Sequence, residues 1–271
     1  MSGARRRRLD AELVSRELAR SREHAGRLIA AGRVTVGGMV ASKPATQVET
    51  SAAVVVVPDD DDPDYVSRGG HKLAGALAAF EPQGLRVAGR RALDAGASTG
   101  GFTDVLLRAG AAHVVAADVG YGQLAWKLQS DERVTVRDRT NVRELTLDHL
   151  GGEPAELVVG DLSFIPLGLV LPALVRCAAP DADLVLMVKP QFEVGKERLG
   201  SGGVVRSAEL RAEAVRAVAA QAAALGLGVL GVTASPLPGP KGNVEYFLWL
   251  RAGAPALDPA DVARAVAEGP R

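Results

Sequence analysis

Hydrophobic residues follow two different patterns along the chain, and the change falls near residue 90. In the first 57 residues, LDAELVSREL and SREHAGRLIAAG carry apolar residues every three or four positions, which predicts two short helices. Ser21 is placed to cap the second helix and Gly32 to end it. Gly37 and Gly38 then separate VTV from MV, which predicts a tight hairpin. The apolar run 52–57 predicts a further strand.

Beyond residue 90, apolar segments alternate with helical stretches. The segments are RRALDAG, AHVVAADVG, RVTVRD, AELVVGDLSF, ADLVLMVKP, LGVLGVTASP and EYFLWLR. Strands that are apolar on both faces and separated by helices are typical of a doubly wound sheet. Only PLPGPKGN joins the last two, which is too short for a crossover helix, so the final strand is predicted to be antiparallel. The predicted fold class is α/β: a small α+β module followed by a seven-stranded, Rossmann-like domain.

The charge distribution divides the chain into three parts. The formal net charge is zero, from 32 basic and 32 acidic residues, which argues at first against a nucleic-acid partner. However, residues 1–57 carry nine arginines and Lys43 against five carboxylates, a net charge of +5, whereas residues 58–64, PDDDDPD, carry −5. We therefore predict a basic module (1–57), an acidic linker (58–66) and a large domain (67–271). The basic module suits a phosphate-rich partner, and a solvated basic surface is the alternative.

Cysteine content and hydropathy bear on the location of the protein. A single cysteine, Cys177, excludes an internal disulfide, and the first residues lack the apolar core of a signal peptide. The longest uncharged stretch, 217–240, is rich in alanine and glycine, and predicts a helix followed by a buried strand rather than a membrane span. We expect a cytoplasmic protein that does not contact membranes.

A glycine-rich turn ends the first strand of the large domain. Its glycines do not match a dinucleotide fingerprint, and no Walker lysine follows. The backbone of such a turn can approach a ligand closely, and a carboxylate at the end of the next strand can bind both hydroxyls of a ribose. Glycines that serve only the turn are the alternative. The candidate ligand-binding residues are Asp94, Gly96, Ala97, Ser98, Thr99, Gly100, Gly101, Phe102 and Asp118.

The lysines are the first candidates for catalytic residues. Arginine outnumbers lysine 26 to 6, so this chain uses arginine where a plain positive charge is enough. The few lysines are therefore candidates for chemistry, because a lysine can lose its proton whereas an arginine stays charged. Lys72 precedes the sheet, and Asp161 and Lys189 end the fourth and fifth strands. Glu245 opens the last strand, and these ends meet at the crevice edge of a doubly wound sheet. Spacing alone leaves open four unrelated surface charges.

Several of these motifs resemble known families. Residues 6–57, with SREHAGRLIAAGRVTVGG, resemble the S4 RNA-binding domain, which implies RNA contacts from Arg6, Arg22 and Lys43. The turn DAGASTGGF with an acidic second strand is similar to the S-adenosylmethionine site of class I methyltransferases. The two lysines and two carboxylates match the tetrad of FtsJ-type RNA ribose 2′-O-methyltransferases. Together with VSRGGHKL, VKPQFEVGK and PLPGPKGNVEYFLWL, residues 6–250 are identified as a member of the TlyA (haemolysin A) family.

This resemblance implies a function. It implies an enzyme that uses S-adenosylmethionine to methylate cytidine ribose 2′-hydroxyls in the ribosomal RNA of ribosomal subunits; we expect a monomer that binds neither DNA nor metal. Lys189 is the expected base, oriented by Asp161, and Glu245 would hold Lys72 or the ribose. Phe164 would stack an extruded base or, alternatively, pack in the core. Arg68 would bind a phosphate near Lys72.

The sequence also leaves two alternative functions open. A ribosome assembly factor that keeps only the methyltransferase fold, and a membrane-active haemolysin, are the alternatives. Base methylation is disfavoured because DLSF lacks the prolines of that chemistry, and Cys177 in LPALVRCAA is predicted to be a packed residue. The acidic run is expected to offset part of the attraction of the basic module, so replacing Asp59 to Asp62 with serine should tighten RNA binding at low salt.

Overall fold

The computed structural model describes residues 6–19, 21–57, 63–239 and 241–270. The chain forms two compact units, divided between Asp64 and Tyr65. Tyr65 and Val66, which the sequence division placed in the linker, therefore lie in the second unit. The acidic residues Asp59 to Asp62 lie outside the described residues.

The first unit consists of short elements around a small core. Its elements are β1 (Arg6–Arg8), α1 (Leu9–Ser15), α2 (Arg22–Ala30), β2 (Val34–Val36), β3 (Met39–Val40), β4 (Gln47–Glu49) and β5 (Val54–Val56). The two helices bury Leu9, Leu13, Leu28 and Ile29 against each other and against Val34 of β2. This core follows the apolar spacing of the two predicted helices.

The turns of the first unit confirm the sequence signals. Ser21 caps α2 by accepting a hydrogen bond from the amide of His24 at 3.1 Å, and Gly32 follows the helix with φ +69°. Gly37 and Gly38 have φ of +57° and +84°, the left-handed conformations of a two-residue hairpin turn. The predicted strand 52–57 is β5, which pairs with β2, whereas the pairing of β1 with β4 was not predicted.

The second unit alternates strands and helices. Its elements are α3 (Arg68–Phe80), β6 (Arg91–Ala95), α4 (Gly101–Arg108), β7 (His113–Ala117), α5 (Trp126–Gln129), β8 (Val134–Arg137), β9 (Ala155–Gly160), α6 (Leu171–Cys177), β10 (Ala178–Val188), α7 (Pro190–Glu193), α8 (Ala208–Ala223), β11 (Leu227–Ala234), β12 (Tyr246–Ala252) and α9 (Pro259–Glu268). Short 3-10 turns lie between them at Glu81–Gln83, Val142–Glu144, Leu147–Leu150, Leu167–Leu169, Lys196–Arg198 and Ser201–Gly203.

The strands of the second unit form one seven-stranded sheet in the order β11-β12-β10-β9-β6-β7-β8. The pairs from β10 to β8 are parallel, whereas β12 is antiparallel to both β10 and β11. The prediction of an antiparallel last strand is therefore confirmed. The arrangement confirms the predicted seven-stranded, Rossmann-like α/β domain.

Both faces of the sheet are buried, which explains the continuous apolar runs in the sequence. Along β10, Leu184 and Leu186 face one core with α6, α8 and α9, whereas Val185 and Met187 face the other with α3 and α4. Strand β12 alternates in the same way between the two cores. The two layers of helices fix the sheet, so its strand ends form a rigid platform for side chains.

The uncharged stretch 217–240 covers the end of α8 and the buried strand β11, as predicted. Across the described ranges, no helix combines the length and apolar character that a membrane crossing needs. Cys177 is buried at the end of α6, and burial raises the pKa of its thiol. The cysteine is therefore the packed residue that the sequence predicted.

Candidate active site

The candidate site lies where the direction of strand order reverses. Strands β6 and β9 are neighbours, but the chain continues from β6 to β7 on one side and from β9 to β10 on the other. The amide of Asp161 donates to the carbonyl of Ala95 at 3.2 Å, so the carboxyl ends of the two strands lie side by side. Ligands of open α/β sheets bind in the crevice at this position.

Three glycines of the turn 96–101 stand where a side chain would not fit. Gly96 has φ +86°, and a Cβ there would lie 3.1 Å from the carbonyl oxygen of Asp161. Gly100 has φ +97°, and a Cβ there would overlap Leu128. A Cβ on Gly101 would overlap the hydroxyl of Ser67. The glycines thus let the turn pack closely between its neighbours at the carboxyl ends of the strands.

The carboxylate of Asp118 is held in one orientation directly after β7. It accepts hydrogen bonds from the amides of Ser98 at 2.8 Å and Gly120 at 2.7 Å. Ser98 itself has φ +48°, an uncommon conformation for a residue with a side chain. The loop and the end of the second parallel strand are therefore joined at the position where a ribose was predicted to bind.

Asp94 is fully buried at the end of β6, below the glycine turn. Its Oδ2 accepts a hydrogen bond from the Thr103 hydroxyl at 2.7 Å, whereas Oδ1 accepts none from the described residues. Burial raises the pKa of Asp94 to about 7; the Thr103 hydrogen bond opposes this, and the charges of Asp161 and Asp118 add to it. The site thus contains an acceptor that a cationic or donor group of a ligand would stabilise.

A first buried ion pair joins α3 to the start of β12. Helix α3 buries Leu73, Leu77 and Phe80 at helical spacing, and this packing places Lys72 at the sheet edge. Its Nζ lies 2.5 Å from Oε2 of Glu245. Lys72 is 7% exposed and Glu245 is 1% exposed, so the two charges neutralise each other away from water.

A second ion pair joins the ends of β9 and β10. Nζ of Lys189 lies 2.5 Å from Oδ1 of Asp161 and donates a hydrogen bond to Oγ of Ser163 at 2.8 Å. Lys189 is buried, and the side chain of Asp161 keeps 22% of its exposure. The amine is therefore fixed between a carboxylate and a hydroxyl at a position that remains partly open to solvent.

Strand register brings the two ion pairs to one edge. Val188 pairs with Tyr246, so Lys189 and Glu245 lie one position beyond the same ladder. Leu186 pairs with Gly160, which places Asp161 beside this end of β10. The four residues are thus not scattered surface charges, the alternative that spacing had left open.

Phe164 lies near this edge and is almost entirely exposed. The residue is 91% exposed, its φ is +64°, and its ring centroid lies 5.3 Å from that of Phe192. The alternative that Phe164 packs in the core is therefore wrong. Arg68 begins α3 and donates to the carbonyl of Pro238 at 3.3 Å.

Two residues at this edge were not predicted from the sequence to belong to the site. Ser163 contacts Lys189, and Nε2 of Gln191 donates to Oε1 of Glu245 at 3.1 Å. Each stands two residues after a tetrad member, in DLS and KPQ, but only the fold shows which partner it meets. Their proximity to Asp161 and Lys189 was the available signal.

The predicted RNA-binding residues of the first unit differ in their surroundings. Arg6 lies 3.6 Å from Glu49, and Arg22 lies 2.9 Å from Asp10. Asp10 also accepts hydrogen bonds from Arg8, and these two arginines hold its pKa well below the usual range. Lys43 is exposed in the loop between β3 and β4. Arg22 therefore belongs to a structural ion-pair cluster, and Lys43 projects into solvent.

Comparisons with known proteins agree with this architecture. The profile of the FtsJ-like methyltransferase family matches residues 65–252, and that of the S4 domain matches residues 7–54. The chain is 61% identical over 273 residues to the "16S/23S rRNA (cytidine-2'-O)-methyltransferase TlyA" of Mycobacterium tuberculosis, covering 98% of this chain and all of that protein. It is 35% identical to "Hemolysin A" of Brachyspira hyodysenteriae over 240 residues, 89% of this chain and 98% of that one.

A solved structure extends the match to three dimensions. It is described as "Putative hemolysin from Streptococcus thermophilus", is 36% identical and superimposes with a TM-score of 0.76. The match covers 97% of this chain and 95% of the other. The sequence identity spans both units, and the two family profiles fall on the units that the fold separates. The chain belongs to the TlyA family of FtsJ-like methyltransferases.

Proposed function

We propose that this protein is a methyltransferase that uses S-adenosylmethionine to methylate the 2′-hydroxyl of cytidine riboses in ribosomal RNA, and that it acts in the cytoplasm. The observation that carries the proposal is the pair of lysine–carboxylate contacts, Lys72–Glu245 and Lys189–Asp161, beside a glycine turn at the sheet crevice. The name of the M. tuberculosis relative supports the choice of substrate.

The residues at the crevice fit S-adenosylmethionine. The glycines let the turn pack closely against Asp161, Leu128 and Ser67, and Oδ1 of Asp94 is a buried acceptor without a donor among the described residues. Asp118, oriented by two amides, would bind the ribose hydroxyls, and residues 96–102 would line the rest of the ligand. When bound, this cofactor supplies an activated methyl group.

Lys189 is proposed to take the proton of the 2′-hydroxyl as the ribose oxygen would bond to the methyl carbon. The bond between that carbon and the cofactor's sulfur would break, and its electron pair would stay on sulfur as a neutral thioether. A weakly acidic hydroxyl needs such a positioned base, and general-base catalysis contributes roughly 10²- to 10⁴-fold. The amine must act in its neutral form. The carboxylate of Asp161, whose Oδ1 lies 2.5 Å from this amine, would orient it toward the ribose.

The RNA is proposed to contact both units. The exposed ring of Phe164 offers a stacking surface for an extruded base, and its left-handed backbone is the kind of strain that clusters at functional sites. Arg68 would bind a phosphate, and Arg6, Arg22 and Lys43 would bind the RNA backbone through the S4 domain. By stacking on the nucleobase, Phe164 would place the ribose of that nucleotide beside Lys189.

Methyl transfer to isolated ribosomal subunits tests the proposal. The label is expected in RNA when purified protein is mixed with methyl-labelled S-adenosylmethionine and unmodified subunits. After alkaline hydrolysis this label should remain in dinucleotides, because a 2′-O-methyl group blocks the hydroxyl that cleaves the adjacent bond. Lys189→Ala should remove this label, and Arg216→Ala, which removes an exposed cation from α8, should keep it. Binding of subunits without transfer by the unaltered protein would instead indicate an assembly factor.

A further inference from the structure

The short helix α7 connects three parts of the candidate site. It directly follows Lys189, and each of its last three side chains contacts a different element. Gln191 donates to Glu245 at 3.1 Å, the ring of Phe192 lies 5.3 Å from that of Phe164, and Glu193 accepts from the amide of Leu167 at 2.9 Å. Of these contacts, the one from Gln191 reaches the catalytic tetrad itself.

Gln191 completes the surroundings of a buried carboxylate. Glu245 is 1% exposed, and its Oε2 is paired with Lys72 at 2.5 Å. Its Oε1 receives the hydrogen bond of Gln191, while Gly239 on that side presents no side chain, and a Cβ there would lie 2.7 Å from Oε1. Without this hydrogen bond, the buried Oε1 of Glu245 would still pay the free-energy cost of leaving water. The carboxylate would also lose one of the contacts that fix its orientation.

The orientation of the Gln191 amide is determined by this partner. A flipped amide would place its oxygen against the carboxylate, so Nε2 must face Glu245. Oε1 of Gln191 is buried and accepts no hydrogen bond from the described residues. The amide is therefore held by its contact with Glu245 rather than by a network of its own.

We propose that Gln191 is a positioning residue for methyl transfer: it holds Glu245, and through Glu245 the ammonium of Lys72, in the geometry that the reaction needs. The inference rests on the proposed function. It predicts that Gln191 affects the rate of the bound complex and not the binding of cofactor or RNA. A misplacement of about 1 Å at a reacting group can cost on the order of 100-fold in rate.

Single-turnover methylation of ribosomal subunits by three variants tests this role. Gln191→Ala should lower the rate constant about 10- to 100-fold while leaving the affinities for S-adenosylmethionine and subunits within about twofold of the unaltered protein. Gln83→Ala is the matched control, because the Gln83 amide donates to the carbonyl of Ala79 outside the site. It should keep the full rate.

Gln191→Glu separates positioning from simple packing, since it keeps the shape and adds a second carboxyl beside Glu245. Two adjacent carboxyls share a proton at low pH and repel each other once both ionise. The activity of this variant relative to the unaltered protein should therefore fall as pH rises. If Gln191→Ala does not fold, this pH profile tests the inference by itself.

Three results would overturn the inference. They are a rate constant for Gln191→Ala within twofold of the unaltered protein, a Gln191→Glu variant with an unaltered pH profile, and a loss of rate that follows only a loss of cofactor binding. If the unaltered protein does not methylate RNA, the proposed function itself fails, and that result is distinct from all three.

Discussion

Nζ of Lys72 lies 2.5 Å from Oε2 of Glu245, although 173 residues separate them in the sequence. Both groups are buried, so neither charge has water as an alternative partner. Removing one partner of such a pair costs about 3–5 kcal/mol, because the other charge stays buried and unpaired. Replacing both by uncharged groups of similar size avoids most of that cost.

Single and double substitutions of this pair should therefore be strongly coupled. Lys72→Met and Glu245→Gln should each destabilise the second unit by about 3–5 kcal/mol, and the double variant should recover most of this loss. Urea unfolding of the four proteins measures the coupling free energy. The double variant should still lack methyl transfer. Additive losses would show that the two charges act independently.

The binding of S-adenosylmethionine should depend on pH through Asp94. With its pKa raised to about 7, this carboxyl is largely protonated at pH 6, and a cationic ligand should favour the ionised form. Affinity should therefore increase from pH 6 to pH 8 and then level off, by at most about tenfold per pH unit. Isothermal titration calorimetry across this range measures the effect.

Two carboxyl variants provide the control for this pH dependence. Asp94→Asn should bind S-adenosylmethionine weakly, with an affinity that does not depend on pH. Asp118→Asn should also lose affinity, because Asp118 accepts two amide hydrogen bonds at the crevice edge, but its affinity should still increase with pH. A flat profile for the unaltered protein would argue against a role for Asp94 in holding the cofactor.

Substitutions of Phe164 should separate activity from stability. Phe164→Ala and Phe164→Gly both remove the exposed ring, and each should weaken RNA binding by about 1–3 kcal/mol, the contribution of one stacked base. Glycine suits φ +64°, so Phe164→Gly should be more stable than Phe164→Ala by about 1 kcal/mol. Filter binding and thermal unfolding measure the two effects, and Phe164→Trp should keep activity. Equal stability of the first two variants would show that the backbone is not strained.

Two basic residues of the first unit should behave differently when removed. Lys43→Ala should weaken RNA binding regardless of sequence and reduce the slope of log affinity against log salt by about 1, with little change in stability. Arg22→Ala should also lower the thermal stability of the first unit, because the buried Asp10 would lose one of its two arginine partners and retain only Arg8. Binding titrations at several salt concentrations test this, with Lys43→Arg as the control. A salt slope unchanged by Lys43→Ala would place the RNA elsewhere.

The sequence alone predicted the helices, the hairpin and the strand β5 of the first unit and the seven strands of the second, but not β1 or β4. Helical spacing, the cap at Ser21 and the glycine pair 37–38 are local properties, and each has the predicted conformation. The alternation of apolar runs with helical stretches indicated a doubly wound sheet, and the short PLPGPKGN connection indicated an antiparallel last strand. These features depend on residues that are near one another in the chain.

Only the tertiary structure decided which charged groups meet. Nothing in the spacing of Lys72, Asp161, Lys189 and Glu245 shows that they form two ion pairs, because the pairing depends on strand register and on how α3 packs. The same holds for Gln191 and Ser163, whose partners lie on other elements, and for Phe164, whose exposure depends on its loop. Local periodicity reports the environment of a residue along its own element, whereas a site is made by contacts between elements.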